Sequence, residues 1–232
     1  MDDFLCIAHR GASGHRPENT LAAFEYALEL GCDWLELDVY AVEGELIVIH
    51  DDTLDRTTNG HGPVMGSTLA NIRTLDAGDG EPVPTLTDVI ELVDHRAAIN
   101  IELKGPATVT PVNQLLRDLT AAGWSSEEFL ISSFDHEQLG AVASGLRRGV
   151  LFGRDVSDWL PRARALAPWS VNFSRRSVTP DVASASTTAG YHTLVYTVDD
   201  VNEMQQMVDI GFSGIFTNFP DRALALIEQL KV

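Results

Sequence analysis

WLELDVYAVEGELIVIH, residues 34–50, holds two strand-like runs joined by a turn, and several of its polar side chains fall where a buried strand would have to absorb them. In the first run Trp34, Leu35, Leu37 and Val39 are apolar or β-prone, and Glu36 and Asp38 interrupt them two residues apart. That alternation predicts a strand with both carboxylates on one face. An exposed polar hairpin would also show this alternation, but an apolar other face opening just after Gly31 fits the inside of a sheet better. Two inward-facing acids then need a cation or a proton.

Glu43-Gly44-Glu45 is a turn signal between the two runs, so the chain is expected to fold back antiparallel about Gly44. Simple register then sets residue 38 opposite residue 50. Directly paired residues share a face, so His50, Asp38 and Glu36 are expected to converge on one small volume.

With 232 residues the chain can bury a substantial core and falls in the range where α/β barrels run as one domain. A single domain over residues 1–232 is expected. At 44% hydrophobic and 22% charged residues the composition is that of a globular protein. No apolar run approaches the roughly 20 residues of a membrane helix, and the Met-Asp-Asp-Phe-Leu start lacks the basic segment of a secretory signal. Sixteen basic residues against 34 acidic ones give a net charge of -18, which argues against nucleic acid or an anionic membrane as a partner. Only Lys104 and Lys231 are lysines, so an anionic ligand is expected to be held locally by individual side chains. Cys6 and Cys32 lie near apolar strand signals and make no disulfide framework. A cytoplasmic location is expected.

Outward from residues 34–50, the apolar run at 4–8 reads as a buried parallel strand ending at His9-Arg10-Gly11-Ala12. A helix is predicted from about Thr20 to Leu30, with Gly31 beyond its end. Residues 51–84 are turn-rich, with a short helix possible near 69–75, and read as a small insertion or cap. Regular alternation follows. Strands at 98–103, 129–132, 149–152, 169–172, 192–197 and 214–217 recur every 20 to 31 residues with helical segments between them. Thr110-Pro111 and Thr179-Pro180 put a cap before a first-turn proline, and Gly123 and Gly211 lie where helix-ending glycines belong.

Two early strands and these six make eight, with the antiparallel return at 46–50 left over. A (β/α)8 TIM barrel is predicted, with a small insertion after the hairpin that follows strand 2. A doubly wound sheet fits less well, because no Gly-rich phosphate loop opens the first helix. In a barrel the functional residues sit at the C-terminal ends of strands, and here His9, Arg10, Glu36, Asp38, Glu102 and Lys104 all fall late. Glu36, Asp38 and Glu102 would meet near one mouth, where a hard divalent cation with oxygen ligands, Mg2+ or Ca2+ rather than Zn2+, best relieves their repulsion.

His9-Arg10-Gly11-Ala12, Pro17-Glu18-Asn19-Thr20, Glu36-Leu37-Asp38-Val39, His50-Asp51, Asp55-Arg56-Thr57-Thr58-Asn59-Gly60, Pro84-Thr85-Leu86, Ile101-Glu102-Leu103-Lys104 and Ser132-Ser133-Phe134-Asp135 together resemble the glycerophosphodiester phosphodiesterases. The resemblance covers nearly the whole chain. It implies a (β/α)8 barrel, Glu36, Asp38 and Glu102 as metal ligands, His9 and His50 as general acid and base, and Arg10 and Lys104 as phosphate partners. The implied reaction is metal-dependent hydrolysis of a small glycerophosphodiester to sn-glycerol 3-phosphate and an alcohol, within glycerophospholipid and glycerol metabolism. The alternatives are a lysophospholipase D, disfavoured by the lack of a membrane-docking segment, and a non-catalytic binder of phosphorylated glycerol, from which a histidine or carboxylate should be missing. Glu18 and Asn19 match the motif, but they could equally serve only to start the helix.

Two positions depart from the resemblance. Thr217-Asn218-Phe219-Pro220 stands where Thr-Asp is usual, and Val198-Asp199-Asp200 where valine-asparagine-aspartate is common. Both are expected to lie on the rim, clear of the core of the site. His15, His61, His95, His136 and His192 read as surface or capping histidines, and Trp34, Trp124, Trp159 and Trp169 as packing residues.

Overall fold

The computed structural model describes residues 4–231. Its strands are β1 (Leu5–His9), β2 (Trp34–Val42), β3 (Glu45–Val48), β4 (Ala98–Leu103), β5 (Phe129–Ser133), β6 (Arg147–Phe152), β7 (Ser170–Ser174), β8 (His192–Tyr196) and β9 (Gly214–Thr217). The helices are α1 (Leu21–Glu29), α2 (Leu69–Ile72), α3 (Leu86–Val93), α4 (Val109–Ala122), α5 (His136–Gly140), α6 (Trp159–Leu166), α7 (Pro180–Thr188), α8 (Val201–Ile210) and α9 (Pro220–Leu230). Eight strands run parallel in the order β1-β9-β8-β7-β6-β5-β4-β2, and β1 also pairs with β2, which closes a (β/α)8 barrel.

Alternation along each strand divides two cores. Outward residues such as Leu35, Leu37, Ile99, Ile101 and Ile131 pack with Phe24, Val89, Val93 and Leu116 of the surrounding helices. Inward, Ile7, Trp34, Leu130, Leu194 and Phe216 fill the barrel itself. The strands are buried on both faces, as parallel barrel strands are. Among the described residues no helix is long and apolar enough to cross a membrane.

The hairpin forms, but one residue away from the expected register. Glu43 and Gly44 both take left-handed backbone (φ 52° and 92°), a two-residue turn that pairs Val42 with Glu45 and Val39 with Val48. Continuing that register puts Ile49 opposite Asp38, and the Ile49 N–H donates to the Asp38 carbonyl at 3.0 Å. His50 lies just past the ladder, where the chain bends.

The helix boundaries also hold one correction. α4 begins after Thr108, so Thr110 and Pro111 lie within its first turn rather than at a cap and N1. At α7, by contrast, Thr179 accepts from the Val182 N–H with Pro180 in the first turn, and α4 and α8 end on left-handed Gly123 and Gly211. Between β3 and α3 the insertion carries one four-residue helix, α2, shorter than the sequence suggests. It has its own apolar centre, in which Leu54, Val64, Ile72, Ala77 and Val83 pack on Tyr40, Ile47 and Ile49 of the hairpin.

Candidate active site

Glu36 and Asp38 of β2 and Glu102 of β4 face inward, with Asp38 in register with Glu102 and Glu36 one step further along the same face, in register with Asn100. One oxygen from each lies within 4.8 Å of the other two. All three are buried, and Glu36 Oε1 and Asp38 Oδ1 have no hydrogen-bond partner. Buried carboxylate oxygens left in this way are costly unless a cation completes them, and an all-oxygen donor set of three carboxylates suits a hard divalent ion. The sequence expectation of a divalent-cation site therefore fits the geometry.

Two basic side chains flank the cluster. Arg10 Nε lies 3.3 Å from Asp38 Oδ2, and Lys104 Nζ lies 2.7 Å from Glu102 Oε1 and 3.5 Å from Asp38 Oδ1. Left-handed backbone at Arg10 (φ 58°) turns its N–H onto Glu36 Oε2 at 2.8 Å. Gly11 follows, also left-handed, and a Cβ there would stand 2.6 Å from the Ala23 carbonyl carbon, so only glycine lets this loop approach α1.

His9 ends β1, with Nε2 4.0 Å from Glu36 Oε2 and Nδ1 2.8 Å from Asn218 Oδ1. His50 faces the same cleft from the hairpin, and its Nδ1 is 2.6 Å from Asp51 Oδ1. Arg56, in the insertion, donates to both oxygens of Asp51 and both of Glu18, and Arg10 donates to Glu18 as well. Asn19 Nδ2 donates to Asp38 Oδ2 at 3.0 Å. Glu18 and Asn19 thus hold the basic and acidic groups of the site in place, beyond any part they play in starting α1. The opposite wall of the cleft, about 180 Å³ in volume, is apolar, with Phe134, Leu151, Tyr196 and Phe216.

Burial and charge set the protonation of the cluster. Burial, with Asp38 beside it, raises Glu102 to about 7, and burial together with Asp38 and Glu102 holds Glu36 well above the usual carboxylate range. Burial pushes Asp38 the same way, but Lys104 and Arg10 outweigh it and keep Asp38 low. Burial, then Arg10, depresses His9 to about 4, and burial lowers His50.

All seven residues singled out in the sequence, His9, Arg10, Glu36, Asp38, His50, Glu102 and Lys104, converge here. Asn218 does not lie clear of the site as expected, because it is bonded directly to His9. Asp51, Arg56 and Asp199 received no role from the sequence. His50-Asp51 and the Asp55-to-Gly60 motif did point to the first two, but nothing local in the sequence connects Asp199 to His9. The remaining histidines stay outside the cleft, for example His15 on Asp221 and His95 on Glu128.

A closed barrel whose strand ends gather carboxylates, imidazoles and two cations in one cleft has the layout of a barrel hydrolase. The chain belongs to the glycerophosphoryl diester phosphodiesterase family, whose model matches residues 9–222. It is 36% identical to a glycerophosphodiester phosphodiesterase of Caldanaerobacter subterraneus subsp. tengcongensis, over 97% of this chain and 98% of that one. A glycerophosphodiester phosphodiesterase structure from Agrobacterium tumefaciens is 33% identical, with a TM-score of 0.81 over 95% of this chain and 99% of the other. A phosphodiesterase of Oleispira antarctica, solved in complex with the product sn-glycerol-3-phosphate, is 28% identical with a TM-score of 0.89, over 97% of this chain and 96% of that one.

Proposed function

We propose that the protein hydrolyses small glycerophosphodiesters to sn-glycerol 3-phosphate and an alcohol, with Mg2+ or Ca2+ held by Glu36, Asp38 and Glu102. The observation that carries this reading is the meeting of those three carboxylates with two imidazoles and two basic side chains in one cleft. A bound divalent cation supplies Lewis-acid stabilisation of charge on the phosphate oxygens. Arg10 and Lys104 bind and orient the same phosphate, where fixed positive charge is most effective in the transition state.

His9 and His50 move protons, an effect worth about 10²- to 10⁴-fold. The substrate carries a free hydroxyl on the carbon adjacent to the phosphorylated one. One imidazole takes the proton of that hydroxyl as its oxygen attacks phosphorus, and the other protonates the departing alcohol. Internal attack benefits from an effective molarity far above that of free water. Water then opens the cyclic glycerol phosphate as the histidines exchange roles.

Turnover of a panel of glycerophosphodiesters, with lysophosphatidylcholine alongside glycerophosphocholine, tests the reading. Chelation should abolish release of glycerol 3-phosphate and Mg2+ or Ca2+ should restore it, while an analogue lacking the free hydroxyl should bind without being cleaved. Full turnover in the chelated protein would remove the cation from the mechanism. Cleavage of the deoxy analogue at the parent rate would replace internal attack by direct hydrolysis. Preference for lysophosphatidylcholine would make the enzyme a lysophospholipase D, and binding without turnover would make the protein a glycerol-phosphate binder.

A further inference from the structure

His9 is held on its far side by a chain of two residues that the catalytic scheme does not use. Its Nδ1 lies 2.8 Å from Asn218 Oδ1, and Asn218 Nδ2 lies 2.8 Å from Asp199 Oδ2. Asp199 Oδ1 is itself committed, accepting from the Asn218 N–H at 2.8 Å and from Thr217 Oγ1 at 3.0 Å. The loop carrying Asn218 is tied down on the other side, where the Gly14 N–H donates to the Asn218 carbonyl at 2.8 Å.

The orientation of the Asn218 amide follows from chemistry. A carboxylate only accepts, so the amide must turn its NH2 toward Asp199 and its oxygen toward His9. An amide oxygen also only accepts, so Nδ1 of a neutral His9 must carry the proton. The lone pair is then left on Nε2, on the side of Glu36 and the cleft. The Ser13 hydroxyl, 2.8 Å from Asn218 Oδ1 and 2.7 Å from the His9 carbonyl, is compatible with this arrangement because it can donate to either oxygen.

We propose that Asp199 is a positioning residue for His9, fixing the Asn218 amide and through it the Nδ1–H tautomer that presents Nε2 as the proton acceptor. Its catalytic consequence rests on the phosphodiesterase reading above, whereas the tautomer itself does not. The wrong tautomer at a catalytic histidine is costly even when its geometry is intact.

Asp199→Asn provides the decisive variant. The amide oxygen introduced at position 199 would keep the bonds from the Asn218 N–H and Thr217, so the new NH2 would face residue 218. The Asn218 amide must then flip, turning its own NH2 to His9 Nδ1 and forcing the proton onto Nε2. In Asp199→Asn/Asn218→Asp the carboxylate sits beside His9 and accepts from Nδ1 again, with every bond of the network restored.

Imidazole 15N spectra of the full chain, recorded where His9 is neutral, should show Nδ1–H in the parent, Nε2–H in Asp199→Asn and Nδ1–H again in the double variant. The single variant should lose on the order of 10²-fold or more in kcat. KM should change little, and the double variant should recover most of the rate. Nε2–H in the parent, an unchanged tautomer in Asp199→Asn, or no recovery in the double variant would each overturn the proposal. Tautomers that invert and recover in a protein without diesterase activity would refute the phosphodiesterase reading and leave the positioning role standing.

Discussion

His9 and His50 stand at a solvent-accessible mouth, one on a barrel strand and the other just beyond a hairpin, so neither is needed to fill a core. Alanine at either should lower kcat by at least about 10²-fold while circular dichroism and thermal melting stay close to the parent. A full-rate His50→Ala enzyme would exclude His50 from the chemistry. The carboxylates make a separate prediction about stability. In the chelated protein Glu102 titrates near 7 rather than at the ordinary 4.5, and Glu36 is also raised. At these two carboxyls the folded chain then binds more protons than the unfolded one between those values, so their contribution to stability should fall as pH rises through the window, while His9 and His50, lowered from 6.5 by burial, contribute in the opposite sense over its acidic part. Asp38 is shifted the other way, so its contribution lies below the window. Saturating Mg2+ should abolish the decline, because ligands that hold a cation are ionised throughout; chemical denaturation at both ends of the window would detect it. Glu36, Asp38, Glu102 and Lys104 were legible because each lies in, or just beyond, a strand whose period shows which way it points, whereas His9, Arg10 and His50 were singled out chiefly through the motifs of the family resemblance. Asp199 and Asn218 were not, because their roles depend on which loops two neighbouring strands bring together and on the orientation of one amide.

Elements were most legible where a strong local cap marks them, as at Thr179 and Pro180 of α7. At α3, which the sequence did not single out as a helix, local chemistry and long-range pairing agree at Thr85. Its side chain accepts from the Asp88 N–H while Asp88 accepts from the Thr85 N–H, a reciprocal cap for α3. The same segment pairs with β3, through an Ile47–Thr85 bridge and a bond from the Val48 N–H to the Pro84 carbonyl at 2.9 Å. Thr85→Ala should cost about 1 kcal/mol in chemical denaturation, and a loss near zero would mean that Asp88 alone secures the helix start. The hairpin register was less legible, because Gly44 as a pivot and Glu43-Gly44 as a two-residue turn differ by one residue. Pattern alone could not choose between them, whereas the left-handed backbone at both turn residues does. At α4, Thr-Pro resembled a helix start, but the helix begins one residue before Thr110.

At the scale of the whole molecule the barrel was legible from the count and spacing of its strands, while the insertion could be read only as turn-rich. Turn signals locate where a chain bends, but not which apolar side chains from distant bends will meet. In the fold Leu54, Val64, Ile72, Ala77 and Val83 meet around the hairpin to form a centre of their own, and the barrel closes through β1 and β2 without them. His50, Asp51 and Arg56 therefore lie beside one apolar cluster, whereas His9 and the three carboxylates lie in the barrel, and Arg56 links the two through Glu18. The smaller unit should open sub-globally. Amide hydrogen exchange at Val64 and Ile72 should report a lower opening free energy than at Ile7 and Leu37, and equal values would show one indivisible unit. On the proposed function, each such opening would carry His50 away from the three carboxylates, so on warming the protein would lose turnover before it lost the capacity to bind a divalent cation.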